Sequence, residues 1–130
     1  FHALAELFLG LINREKNVII TQFKNTASLL LEDSNPVAVP LSEPVAVTSV
    51  TSVERSDGVE TGVWECSPGR WRRQIVQQEF CHFIAGRCTF IPDEGEPIEI
   101  QAGDAILFPA NTTGIWDIQE TLRKSYVLIF

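Results

Sequence analysis

The chain has 130 residues, of which 45% are hydrophobic and 21% are charged, the composition of one globular domain that buries an apolar core. Its formal net charge is −7, whereas nucleic-acid-binding proteins normally carry a basic surface, so we predict no nucleic-acid partner. No segment reaches the about 20 consecutive apolar residues of a transmembrane helix, so we predict no membrane partner.

The first 44 residues are predicted to form a short helix and an extended arm. Apolar residues recur at helical spacing between residues 2 and 16. Residues 18–23 are a candidate strand, and residues 27–32 fit a helical turn or a strand equally well. Three prolines between residues 36 and 44 belong in loops or at sheet edges, because proline has no backbone N–H to donate to a sheet.

From residue 45 onward, short runs rich in Val, Ile, Thr and Phe alternate with turn signals. The predicted strands are 45–53, 62–66, 80–85, 87–91, 97–101, 105–108, 115–119 and 122–130. Many short strands with regularly spaced turns are typical of an all-β barrel or sandwich. The pattern occurs once, which predicts a single small β-barrel over residues 45–130. The short basic cluster of Arg70, Arg72 and Arg73 is interpreted as a solvated strand or loop, with binding of an anionic ligand as the alternative.

The three cysteines, Cys66, Cys81 and Cys88, are an odd number without the C-x-x-C spacing of many zinc sites. We therefore predict three reduced, mostly buried thiols rather than disulfides. This cysteine usage predicts a cytoplasmic protein.

Two spacings in the second half of the chain match the motifs of cupins. Glu79 and Gly86 have the E-x6-G spacing that ends the first motif, G-x5-H-x-H-x3,4-E-x6-G. Gly103 and Pro109 have the G-x5-P spacing that begins the second motif. The chain therefore resembles the cupin superfamily, which implies a jelly roll, or double-stranded β-helix, and a homodimer.

A finer resemblance is to the cupin branch named after (S)-ureidoglycine aminohydrolase. It is carried by the stretch 62–69 with its Trp-Glu-Cys, by the segment 103–109, and by residues 114–126 with their Trp and Arg-Lys-x-Tyr. The resemblance implies the hydrolysis of ureidoglycine with release of ammonia, an activity that depends on a metal.

The metal ligands of such cupins are not where the motifs place them. Histidines and one glutamate converge inside the barrel of metal-binding cupins, a set that suits Mn, Fe, Ni or Zn. When the chain is aligned on Glu79, the histidine positions of the first motif hold Arg73 and Ile75, or Arg72 and Gln74 with the longer spacer. We therefore predict no metal and no cofactor, with a weak metal site through Glu79, Gln74 and water as the alternative.

The last strand alternates between two faces, one of which carries Leu122, Lys124, Tyr126 and Leu128. We predict that Lys124 and Tyr126 reach the interior near Glu79. A carboxylate, an ammonium and a phenol in one concave site form a candidate catalytic set for acid/base chemistry or for anchoring a ligand. The alternative is a structural ion pair between Glu79 and Lys124.

Further interior residues are candidates for ligand binding. Trp64 and Trp116 are predicted to form apolar walls, and Cys81 and Phe83 follow Glu79 on the same face of its strand. His82 lies between the last two and is predicted to face outward.

Three functions remain open from the sequence. The first is a metal-free or metal-poor cupin that binds a small polar metabolite, with a ureido or amide group implied by the resemblance. The second is a metal-dependent hydrolase of the ureidoglycine aminohydrolase type with unusual ligands. The third is a non-catalytic structural or sensory module.

Overall fold

The structure, a computed structural model, describes residues 18–130. In that range the chain forms strands, turns and loops and no helix, so the all-β prediction is confirmed, whereas the helix predicted at residues 2–16 lies outside the described residues. The eight strands are β1 Asp33–Pro36, β2 Val47–Glu54, β3 Glu60–Cys66, β4 Gly69–Arg73, β5 Gln78–Pro92, β6 Ile98–Gln101, β7 Ala105–Phe108 and β8 Gly114–Ile129.

Two long antiparallel strands, β5 and β8, organise the sheet. The first half of β5 pairs with the second half of β8, and together they extend a sheet in the order β1-β2-β3-β8-β5-β7. Their other halves extend a second sheet in the order β4-β8-β5-β6. Register shifts between Phe83 and Cys88 separate the two halves. Such bulges bend a strand pair, so the side chains of the two halves meet in one core.

The predicted small β-barrel is present as an antiparallel all-β fold, but it is not closed in the described strands, because their pairing does not form a ring. The path of neighbouring strands runs from β1 to β6, with β4 and β7 as branches. The reason is that β5 and β8 serve both sheets. The sheets are therefore joined through these two bent strands rather than by hydrogen bonds all the way around.

Several predicted strand boundaries also differ. The predicted strands 80–85 and 87–91 are one strand, since Gly86 lies in the bulged part of β5 with φ of +92° rather than in a turn. Residues 115–119 and 122–130 are likewise joined in β8. Strands β1 and β4 were not among the predicted strands, and residues 18–23 form no strand.

The core lies between the two sheets and is rich in aromatic side chains. Trp116 is 1% exposed and packs edge-on against Phe90 and Phe108, with ring centroids 5.0 and 5.7 Å apart. Phe83 also packs against Trp116, with ring centroids 6.4 Å apart. Edge-to-face contacts of this kind add to the free energy gained by burying the rings.

The three cysteines belong to the same core. All are free thiols and buried, which confirms the prediction of buried, unpaired cysteines. Burial raises the pKa of the Cys81 thiol to about 11, so it is protonated at neutral pH.

The arm that precedes β1 is fastened to the outer face of β2, β3 and β8. Arg123 donates from Nη1 to the carbonyl oxygens of Thr26 and Leu29, both at 2.9 Å, and pairs with Glu65 at 3.0 Å. Val63 is on the same face and is completely buried.

The described part of the chain has no helix that is long and apolar enough to cross a bilayer.

Candidate ligand-binding site

Three buried charged side chains meet at the centre of the fold. One carboxylate oxygen of Glu79 accepts a hydrogen bond from Arg73 Nη2 at 2.9 Å, and the other accepts one from Lys124 Nζ at 2.8 Å. Their side chains are between 1% and 3% exposed. Charge-assisted hydrogen bonds at these distances are among the stronger polar interactions in a protein, and we call these three residues the charged triad.

Each member of the triad comes from a different strand. Arg73 ends β4, Glu79 lies at the start of β5, and Lys124 lies in the second half of β8. Arg73 also donates from Nη1 to the carbonyl oxygens of Ile75 at 2.9 Å and Thr112 at 2.8 Å. The arginine thus fixes two loops as well as the carboxylate.

The three tryptophans of the chain cluster together, and two of them lie against the lysine of the triad. The ring centroids of Trp64, Trp71 and Trp116 are 6.1 to 6.3 Å apart. Lys124 Nζ lies 4.5 Å from the ring centroid of Trp64 and 5.1 Å from that of Trp116, within the range of a cation–π interaction. The lysine ammonium is therefore stabilised by aromatic faces as well as by Glu79.

A second polar pair lies beside the triad on the same interior surface. The hydroxyl of Tyr126 donates to a carboxylate oxygen of Glu60 at 2.6 Å. Tyr126 follows Lys124 by two positions in β8, so both side chains point inward. Glu60 is only partly buried, unlike the members of the triad.

These side chains line a cavity of about 180 Å³. Its charged residues are Glu60, Arg73, Glu79 and Lys124, and the other lining residues are Val50, Trp64, Trp71, Gln74, Ile75, Trp116, Tyr126 and Leu128. Cavities for drug-sized ligands occupy about 300–1,000 Å³, so this one suits a smaller molecule. An apolar wall with a few convergent polar groups is the usual composition of a small-molecule site.

The protonation states follow from the surroundings. Burial alone raises the pKa of Glu79, but the charges and hydrogen bonds of Lys124 and Arg73 together outweigh it, and the net pKa lies below the ordinary value. Glu79 is therefore ionised at neutral pH. Burial, followed by the hydrogen bond to the Glu60 carboxylate, raises the pKa of Tyr126, so its phenol stays protonated.

The structure brings five of the seven predicted site residues together at the cavity: Glu79, Lys124, Tyr126, Trp64 and Trp116. Cys81 and Phe83 instead lie in the apolar core, where Cys81 donates to the carbonyl of Ile106 and Phe83 packs on Trp116. His82 is exposed, as predicted.

Sequence reasoning missed Arg73 as a site residue, and the interpretation of its cluster as a solvated strand or loop is wrong at this position. The alternation of β4 turns Trp71 and Arg73 inward, whereas Arg70 and Arg72 point outward to Asp117 and Asp93. Placing residues 69–73 on a strand, with an inward tryptophan two positions before Arg73, would have predicted that Arg73 points inward.

The residues present do not fit the metal that cupin motifs imply. At the positions of the motif histidines, the guanidinium of Arg73 and the hydrocarbon of Ile75 have no lone pair to offer a metal. Both oxygens of Glu79 are engaged by cations. Within residues 18–130, no group of three His, Cys, Asp or Glu side chains is arranged to hold a metal ion.

A two-sheet antiparallel fold with an interior glutamate and the two motif spacings defines a cupin. Residues 53–126 match the family described as the EutQ-like cupin domain. The chain belongs to this family, which confirms the cupin assignment. No curated protein matches the sequence.

Solved structures share the fold at low sequence identity. The EutQ protein of Clostridium difficile is 18% identical with a TM-score of 0.65, covering 84% of this chain and 86% of its own. A putative ethanolamine utilization protein Q of Salmonella typhimurium is 15% identical with a TM-score of 0.55, covering 62% and 68%. A DUF861-family protein of unknown function from Pseudomonas syringae pv. tomato is 21% identical with a TM-score of 0.70, covering 78% of this chain and 45% of its own.

Proposed function

We propose that this cupin binds a small polar metabolite in the cavity above the charged triad, without a metal. The observation that carries the proposal is the placement of the triad. Arg73, Glu79 and Lys124 are buried together and border a cavity whose walls contain every tryptophan of the chain. In such a site the lysine and the arginine supply the positive charge that a metal supplies in other cupins.

A purely structural ion pair explains this arrangement less well. Burying charges costs several kcal/mol per ion, and well-packed apolar residues often stabilise a core as much as an ion pair does. A structural pair also needs no cavity beside it and no second cation. Two cations on one carboxylate at the edge of a cavity are more typical of a site in which a ligand completes the set of partners.

The protonation states favour binding over acid/base catalysis. Glu79 is ionised and held on both oxygens, so it serves to position Lys124 and Arg73 rather than to exchange protons. Tyr126 retains its proton and offers a hydroxyl. We therefore assign anchoring roles to Glu79, Lys124 and Tyr126 and propose no reaction.

The chemistry of the lining suits a ureido or amide group, the group implied by the resemblance to the ureidoglycine aminohydrolase branch. Its carbonyl oxygen would accept a hydrogen bond from Lys124, and its N–H groups would donate to Glu60. No observation in residues 18–130 favours the metal-dependent hydrolase over a binding protein.

The test is a metabolite screen by thermal shift and tryptophan fluorescence. A ligand that binds only the folded state raises the melting temperature, and one in this cavity changes the emission because all three tryptophans line it. Both signals should be lost in Lys124→Met and kept in Lys24→Met, which alters an exposed lysine. If a broad screen of small polar metabolites yields no such compound, the proposal is refuted and the structural or sensory module is favoured.

We also propose a homodimer, formed through the outer face of β5, β7 and β8. Phe80 pairs with Leu107 on one side and Val127 on the other, and Ile129 is diagonal to it. Phe80, Leu107 and Ile129 are 43–52% exposed. Phe80, Leu107, Val127 and Ile129 form an uncharged patch on this face, so two copies of a chain with net charge −7 can meet there without like-charge contacts. Light scattering tests this, and a monomer at micromolar concentration would refute it.

A further inference from the structure

One histidine lies within the proposed dimer face, directly beside its uncharged patch. His82 is exposed and follows Phe80 by two positions on the outward side of β5. Its cross-strand neighbours are Ser125 of β8 and Ala105 of β7, whose short side chains leave the imidazole uncovered. His82 is the only histidine among residues 18–130. The face therefore carries one group that changes its charge near neutral pH.

The surroundings of His82 supply no free carboxylate to balance a positive charge. The outward neighbours on β5, β7 and β8 are uncharged: Phe80, Ala105, Leu107, Ser125 and Val127. On β8, Arg123 lies two positions from Ser125 and pairs with Glu65 at 3.0 Å. Asp104 precedes β7, and its carboxylate accepts a hydrogen bond from the backbone N–H of Gln101 at 2.9 Å. Both nearby carboxylates are thus already engaged.

Association through this face would bring two copies of His82 into one interface. A twofold symmetric dimer uses the same patch on both subunits, so each subunit contributes its own imidazole. A neutral imidazole can be buried there at small cost. A protonated one brings an unpaired charge into an apolar interface and meets a like charge on the partner, which is unfavourable. The dimer therefore favours the neutral imidazole, and protons oppose association by linkage.

We infer that His82 makes the dimer sensitive to pH, so that two copies associate at neutral pH and separate as the pH falls to about 5.5. This inference rests on the homodimer of the proposed function, because it specifies how that same face is regulated. The core triad is not the cause of the separation. The contribution of Glu79 to stability is fully present above pH 4.5, so the triad is intact over this range.

The test is sedimentation velocity of the whole chain at pH 7.5 and pH 5.5 over a series of protein concentrations. In the wild type, the dissociation constant of the dimer should rise by at least about tenfold at the lower pH, since each dimer releases up to two protons on forming. In His82→Gln, which keeps a polar side chain that cannot gain charge, it should be the same at both pH values. His2→Gln is the matched control, because His2 is the other histidine of the chain, and it should retain the wild-type pH dependence.

A further variant locates the interface. Leu107→Glu places a carboxylate on the uncharged patch and should be monomeric at both pH values. A dimer of this variant as tight as the wild type would place the interface elsewhere and overturn both the proposed dimer and the inference.

The remaining outcomes separate the inference from the proposed dimer. A wild-type protein that is monomeric at pH 7.5 would refute both. An equal dissociation constant at the two pH values would overturn the inference and leave the dimer standing. So would a pH dependence that persists in His82→Gln or is lost in His2→Gln.

Discussion

Lys124 and Glu79 meet at 2.8 Å although they come from different strands, and the lysine ammonium also lies against two tryptophan rings. In the register of β5 and β8, Lys124 is opposite Phe83, not Glu79. The long lysine side chain reaches along the interior to the carboxylate. The ion pair therefore forms across the interior of the fold and not between directly opposite residues of adjacent strands.

Replacing Lys124 and replacing Glu79 should reduce the free energy of unfolding by different amounts. Lys124→Met leaves Glu79 paired with Arg73, so we expect the free energy of unfolding to fall by about 2–3 kcal/mol. Glu79→Gln leaves two buried cations without their counter-ion, and we expect a loss of about 3–5 kcal/mol. Urea unfolding at pH 7 measures both.

The control for this comparison is an exposed ion pair. Glu120 lies 3.7 Å from Arg87, and both side chains are more than half exposed. Glu120→Gln should change the free energy of unfolding by less than about 1 kcal/mol. A Glu79→Gln protein as stable as the control would show that the triad contributes little to the fold.

Acid should destabilise the protein partly through Glu79. The folded-state pKa of this carboxyl lies below the ordinary 4.5, so the unfolded chain takes up its proton first as the pH falls. Its contribution to stability is fully present above pH 4.5 and is lost as the pH falls through the folded pKa. Urea unfolding between pH 7 and pH 3 should therefore show a smaller decline in Glu79→Gln than in the wild type. Equal slopes would argue against the lowered pKa.

The bend in β5 should depend on Gly86. Its φ is +92°, and a Cβ there would lie 2.1 Å from the carbonyl oxygen of Thr121. Gly103 has a similar φ of +99°, but a Cβ there would point into open space with nothing to meet within 4 Å. Gly103→Ala should cost about 1 kcal/mol for the backbone strain alone, and Gly86→Ala should cost at least about 2 kcal/mol more. Chemical denaturation of the two variants measures the difference, and similar losses would contradict the assigned close approach of β5 to β8.

Arg123 should control the attachment of the arm. Arg123→Ala removes the hydrogen bonds to the carbonyls of Thr26 and Leu29. We expect trypsin to cut the variant after Lys24 roughly tenfold faster than the wild type, since about 1.4 kcal/mol of lost local stability corresponds to a factor of ten. Mass spectrometry of the fragments identifies the cut. Arg87→Ala, which alters an exposed arginine, should leave the rate unchanged; the same rate in both variants would contradict this attachment.

The sequence was sufficient to predict the strand-rich fold and five of the twelve residues that line the cavity. The period of two places Lys124 and Tyr126 on one face of the last strand, but it does not tell which face is inward, so their interior position was a separate prediction. Glu79 was found through the spacing of the cupin motif. These predictions needed only local periodicity and one motif.

Features that depend on distant pairing were not predictable in the same way. Arg73 points inward because β4 pairs with the first half of β8. The neighbouring arginines, considered without this pairing, favour a solvated loop. The sheet is open because β5 and β8 each belong to both sheets. The local turn signals divided these two strands into four predicted strands.

The central claim is that the tryptophan-lined cavity over Arg73, Glu79 and Lys124 is a ligand site. Titration of tryptophan emission with the compounds of the metabolite screen tests it most directly, because all three tryptophans line that cavity. We predict a saturable change with at least one small polar metabolite in the wild type and none in Lys124→Met. Unchanged emission across the screen, or an equal response in Lys124→Met, would contradict the claim.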